Sequence, residues 1–111
     1  MIKQALETLK ESKIDVVGHY IMGHQFTHIQ FAIMLALIRA NEDIVTRKEM
    51  REFIKLGKEV TLRTIDAHIC RIREKFGTSY NIDPYPIETI HNTGYRIDKR
   101  FLEKLKDNGK E

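Results

Sequence analysis

The chain has 111 residues and a single cysteine, Cys70, so it cannot form an intramolecular disulfide. Nothing in it demands an oxidising compartment, and a cytoplasmic location is the expectation. No uninterrupted apolar run reaches the roughly 18 residues of a membrane span. The longest, from Phe31 to Ile38, is too short, and the N-terminus carries no signal-peptide pattern. No membrane partner is therefore expected. The sequence also lacks a glycine-rich phosphate loop, a nucleophile elbow and paired carboxylates at one site, which argues against an enzyme and against a cofactor. His24 and His28, four residues apart, would make a metal pair on one helix, but the capping chemistry at Thr27 starts a helix between them. His68 and Cys70 diverge by about 160° around a helix, so they do not form a metal or nucleophile pair. No metal is expected, and there is no internal repeat or low-complexity tract.

What is present is enough for one domain. The hydrophobic content of 41% can build a core without staples, and the net charge of +3 is compatible with nucleic-acid binding without establishing it. Residues 61–76, TLRTIDAHICRIREKF, hold two of those net positive charges. At 100° per residue Leu62, Ile65, Ile69, Ile72 and Phe76 share a narrow apolar stripe, and Arg63, Ala67, Cys70, Arg71 and Glu74 lie opposite. The centre of that outer face is small, at Ala67 and Cys70, with arginines around it. A major groove about 12 Å wide admits such a helix, small residues allow close approach, and longer cationic side chains reach guanine acceptors or phosphates. Arg73 and His68 fall on opposite flanks, where phosphates would run. A basic amphipathic helix can equally be a solvated face or a protein or membrane surface, and the helix alone leaves those readings level with DNA.

The residues that follow shift the balance. Ile87–Ile90 and Tyr95–Ile97 are β-formers, and His91-Asn92-Thr93-Gly94 between them supplies turn residues, which predicts a hairpin. His91 and Asn92 would sit at its tip and Arg96 on its second strand, within reach of a minor groove. Upstream, Thr27 with Gln30 and Thr46 with Glu49 form two capping boxes, stapled by Phe26 with Phe31 and by Val45 with Met50. They predict one helix to about Ala40, apolar nearly all round and ended by Asn41. A second is predicted over roughly 46–56, burying Met50, Phe53 and Ile54. Gly57 opens the turn before the third, giving a helix-turn-helix order. Gly18-His19 and Gly23-His24 punctuate short strands between residues 14 and 26, and Pro84 and Pro86 keep the approach to the hairpin extended.

The runs Arg63-Thr64-Ile65-Asp66-Ala67-His68-Ile69, Arg71-Ile72-Arg73, Ile87-Glu88-Thr89-Ile90 and Gly94-Tyr95-Arg96, with Phe26–Phe31 and Thr46–Glu49, resemble the C-terminal DNA-binding domain of OmpR/PhoB-type response regulators. The resemblance covers roughly residues 14–100. It implies an α+β winged helix-turn-helix: a short N-terminal antiparallel sheet, a three-helix core and a C-terminal β-hairpin wing. Its third helix would read the major groove and its wing the minor groove. It further implies that Arg63, Thr64, His68, Arg71, Arg73, Thr89 and Tyr95 face bases or phosphates. The loop after the second helix, with Lys55, Lys58 and Glu59, would contact RNA polymerase, and a homodimer would bind direct-repeat half-sites of double-stranded DNA. Three positions depart from the family pattern. Cys70 and His91 stand where an arginine is common, and Asn92 where glycine is usual. Two fewer cations should lower non-specific affinity, each lost phosphate contact removing about 0.9 from the salt slope.

The expected organisation is a helix or linker remnant over residues 1–12, the winged-helix domain over 13–101 and a charged tail over 102–111. The chain reads either as the excised C-terminal half of a response regulator or as a stand-alone reader. The rival function is a winged-helix protein-interaction module without DNA binding, which would carry an acidic or apolar outer face on the third helix.

Overall fold

A computed structural model of the chain describes residues 14–54, 61–79 and 81–106. The helix or linker remnant expected over residues 1–12 and the loop residues Lys55, Gly57, Lys58 and Glu59 lie outside the described residues. The first sheet is a meander of three short antiparallel strands, β1 (Ile14–Asp15), β2 (Tyr20–Ile21) and β3 (His24–Gln25). The turn between β2 and β3 puts Met22 at φ +54° and Gly23 at φ +82°, a left-handed path that glycine follows without a Cβ penalty.

Helix α1 spans His28–Ala40, and Thr27 caps it as expected. The Thr27 hydroxyl accepts from the Gln30 N–H at 3.2 Å, and the Gln30 side-chain oxygen accepts from the Thr27 N–H at 3.4 Å. Asn41 ends the helix at φ +61°. The nearly all-round apolar sequence has the predicted consequence: α1 packs on the next two helices and on the wing, with Ile33, Met34 and Leu37 fully buried. Helix α2 is Arg47–Ile54. Its box closes through Thr46 N–H to Glu49 at 2.9 Å and Glu49 N–H to Thr46 at 3.1 Å. Met50 and Ile54 are buried, but Phe53 is 40% exposed, contrary to expectation. At 100° per residue Phe53 lies at the edge of the Met50–Ile54 stripe, where the Arg39 guanidinium covers its ring at 5.5 Å.

Helix α3, Leu62–Lys75, is capped by the Thr61 hydroxyl, which accepts from the Thr64 N–H at 3.1 Å. Ile65, Ile69 and Ile72 are fully buried, each worth about 1.5–3 kcal/mol of apolar burial. Strands β4 (Ile87–Ile90) and β5 (Gly94–Ile97) pair antiparallel as the wing, opposing Glu88 to Arg96 and Thr89 to Tyr95. Asn92 turns the hairpin at φ +57°, the left-handed conformation its side chain tolerates. One expectation fails at the end of the chain. The tail expected over 102–111 is, up to residue 106, helix α4 (Lys99–Lys106), with Phe101, Leu102 and Leu105 buried in the common core. Charged residues dominate the segment's composition, yet its three apolar side chains fall on one face of the helix.

Candidate nucleic-acid interface

Because α3 turns Ile65, Ile69 and Ile72 inward, its opposite face is open. Arg63, Ala67, Cys70, Arg71 and Glu74 are all exposed, as the periodicity predicted. Thr64 is half-buried, and its hydroxyl lies 2.8 Å from that of the capping Thr61. His68 is also half-buried, with Nδ1 enclosed and without a hydrogen-bond partner among the described residues. Loss of solvent, helped by the neighbouring Arg71 charge, holds its pKa below the usual value. At neutral pH His68 is therefore an uncharged imidazole on the flank of the strip, not a cation for phosphate.

Arg73 corrects the sequence reading. It was expected on a phosphate-facing flank, but it is only 5% exposed. Its guanidinium donates to the Ile87 carbonyl at 2.7 Å, to the Thr89 hydroxyl at 2.8 Å and, through Nε, to the Pro84 carbonyl at 3.1 Å. The arginine flank of α3 is the flank on which the wing packs. Thr89 is thereby turned toward α3 as an acceptor.

Tyr95 is corrected in the same way. It is 4% exposed, and its hydroxyl donates to Asp66 of α3 at 2.5 Å. Asp66 also accepts from Arg47 Nε at 2.7 Å, while the Arg47 guanidinium lies 5.3 Å from the Tyr95 ring centroid. Burial first, and then the bond to the Asp66 carboxylate, push the Tyr95 phenol up to about 12. An unfolded tyrosine ionises near pH 10. The protonated phenol therefore contributes stability that is complete below about pH 10 and is lost as pH rises toward 12. In thermal melts at stepped pH, wild type should lose its margin over Tyr95→Phe across this window, and a constant margin would disprove the shift.

At the wing, Arg96 is held by Glu88 on the facing strand, with N–O distances of 2.7 and 3.1 Å. The pair is partly exposed and contributes little stability, but it turns Arg96 along the sheet. His91, Asn92 and Thr93 form the exposed tip. The wing thus presents an imidazole, an amide and a hydroxyl rather than a free guanidinium. Sequence reasoning missed Asp66 and Arg47 altogether. The available signal was the seven-residue spacing of Asp66 and Arg73, which places both on one flank of α3.

Among the described residues no three His, Cys, Asp or Glu side chains are grouped to hold a metal. His24 lies in β3 and His28 opens α1, so they do not share a helix. A groove of about 600 Å³ beside α4, at the C-terminal end of α3, is lined by Phe76, Tyr85, Arg100 and Lys104 among others. Its Arg100 is engaged by Asp83 at 2.8 Å and Asp98 at 2.9 Å, which lowers the pKa of both carboxylates. No helix among the described residues is long and apolar enough to cross a membrane.

Comparison with known proteins agrees with this architecture. Fourteen chains of solved structures match, among them the DNA-binding domain of the response regulator AdeR, solved in complex with an intercistronic region. That domain is 22% identical with a TM-score of 0.60, and the match covers 78% of this chain and 92% of the other. No curated protein sequence matches. The family model described as "Transcriptional regulatory protein, C terminal" matches residues 23–97, from the β2–β3 turn to the end of the wing. The chain therefore belongs to the transcriptional regulatory protein C-terminal family, the OmpR/PhoB-type winged-helix DNA-binding domains, which are not enzymes.

Proposed function

We propose that this domain reads double-stranded DNA sequence-specifically as the effector part of a transcriptional regulator, with α3 in the major groove and the wing tip at the minor groove. The observation that carries this reading is the outward strip of α3. Arg63 and Arg71 are exposed around the small residues Ala67 and Cys70, while the helix is anchored from behind by three buried isoleucines. Backbone phosphates are met by the cations, and the flat centre admits base edges and thymine methyl groups. Arg63, Thr64, Ala67, His68, Cys70 and Arg71 form the reading set, with His91 and Asn92 at the wing tip. Arg73 and Tyr95 hold that set in place.

The resemblance extends the proposal to a homodimer on direct-repeat half-sites, to an RNA polymerase contact through Lys55, Lys58 and Glu59, and to a cytoplasmic setting. The rival protein-interaction module is disfavoured because the strip carries Arg63 and Arg71 against Glu74, and the carboxylate on its flank, Asp66, is paired with Arg47.

Fluorescence anisotropy with duplex DNA over a salt series tests the reading. Log affinity should fall linearly with log salt, and Arg71→Ala should reduce that slope by about 0.9 if it removes one phosphate contact. Lys104→Ala, on α4 beside the Tyr85 ring, should leave the slope unchanged. No binding at low salt, salt-independent binding, or equal effects of the two substitutions would refute the assignment.

A further inference from the structure

We propose that Asp66 is a positioning residue for DNA reading, which acts with Arg73 to set the roll of α3 about its own axis against the wing. The inference rests on the reading of α3 as the groove helix. Asp66 and Arg73 are seven residues apart, hence only about 20° apart around the helix. Each grips a different strand of the wing. Asp66 accepts from Tyr95 of β5 at 2.5 Å, and Arg73 donates to Ile87 and Thr89 of β4 at 2.7 and 2.8 Å. Asp66 also ties α2 into the same node through Arg47 at 2.7 Å.

The apolar stripe behind α3 cannot do this alone. Contacts of Ile65, Ile69 and Ile72 are non-directional and tolerate small rotations, whereas hydrogen bonds at two heights along one flank do not. A roll of about 20° at the roughly 5–6 Å outer radius of a helix moves side-chain tips by about 2 Å. That is enough to break hydrogen bonds to base edges, which need heavy atoms within about 3.2 Å. The carboxylate bordering a DNA-facing strip is electrostatically unfavourable toward phosphate, and its geometric role accounts for its presence there.

A charge role and a positioning role predict opposite signs. Removing an acid near phosphates should tighten binding to every duplex, while misaligning α3 should weaken only the sequence-selected one. The probes are a duplex selected by the wild-type chain from a random pool and a random-sequence duplex of equal length. Asp66→Ala should lose about tenfold on the selected duplex, the worth of one base contact. It should bind the random duplex within about twofold of wild type, with an unchanged salt slope. Asp66→Asn, which keeps an oxygen for Tyr95 and the local packing, should fall between the two. Equal losses on both duplexes, or unchanged or tighter binding to both, would overturn the proposal.

Amide hydrogen exchange reads the clamp without DNA. Asp66→Ala should accelerate exchange at Tyr95 and Val45 well beyond any change at Leu37 of α1, and uniform or absent acceleration would overturn it. Failure of wild type to bind any duplex defeats the DNA reading, while the exchange pattern still decides whether Asp66 holds the wing.

Discussion

Arg73→Leu should destabilise the domain more than any substitution on the outward face of α3. Leucine has roughly the right size for the site but cannot donate. The Ile87 carbonyl and the Thr89 hydroxyl, which accept from the guanidinium at 2.7 and 2.8 Å, would be left without it. Desolvated acceptors of this kind cost about 1–3 kcal/mol each, so a loss of about 3 kcal/mol and a fall in melting temperature of roughly 12 °C are expected. Arg73→Lys keeps the charge but not the planar fork that serves several acceptors at once, and should fall between. Differential scanning calorimetry beside Arg63→Leu, an exposed position on the same helix, provides the comparison. Similar melting temperatures for the two variants would show that Arg73 does not hold the wing in solution.

The second large effect is expected at Gly94, for a reason of space rather than backbone freedom. A Cβ there would lie 2.3 Å from the Val45 carbonyl oxygen and 2.8 Å from the Thr46 Cα, both main-chain atoms with no flexible end to give way. The same stretch carries the reciprocal hydrogen bonds between Val45 and Tyr95, at 2.8 and 2.9 Å, that join the wing to the start of α2. Gly94→Ala must push the wing outward and break that pair. Overpacking and two lost hydrogen bonds together cost about 2–4 kcal/mol, which lowers the urea midpoint by about 1–2 M for a small domain. An unchanged midpoint would mean that the wing does not approach Val45 so closely. Both substitutions leave every outward side chain of α3 in place but loosen the wing against which α3 is set, so affinity for a sequence-selected duplex should fall even where the fold survives.

Much of the candidate interface's layout was legible in advance because it depends on local periodicity. The isoleucine spacing in α3 dictates which side faces in, and therefore that Arg63, Ala67, Cys70 and Arg71 face out. The two capping boxes mark helix starts through hydrogen bonds that span only three residues. Asn92 marks the hairpin turn through its tolerance of positive φ. These are short-range geometries, and the sequence contains all their terms.

The errors share a different cause. Arg73 and His68 could be assigned to opposite flanks of α3, but helical periodicity carries no information about what stands beside a flank. Only the packed wing decides that the Arg73 side is an internal seam and that Tyr95 closes onto Asp66 rather than onto DNA. Phe53 sits at the edge of its stripe, and Arg39 from another helix, not α2 itself, determines how it is covered. The segment after Arg100 looks like a charged tail until a core with room for Phe101, Leu102 and Leu105 gives its weak apolar face something to bury against. By itself the sequence determined the elements from the first sheet to the wing, the family and the outward strip of α3, because these follow from residues close together along the chain. Which polar side chains stay open and which hold the wing was decided by the tertiary structure, because a guanidinium or a phenol can serve either role and only its neighbours in space select one.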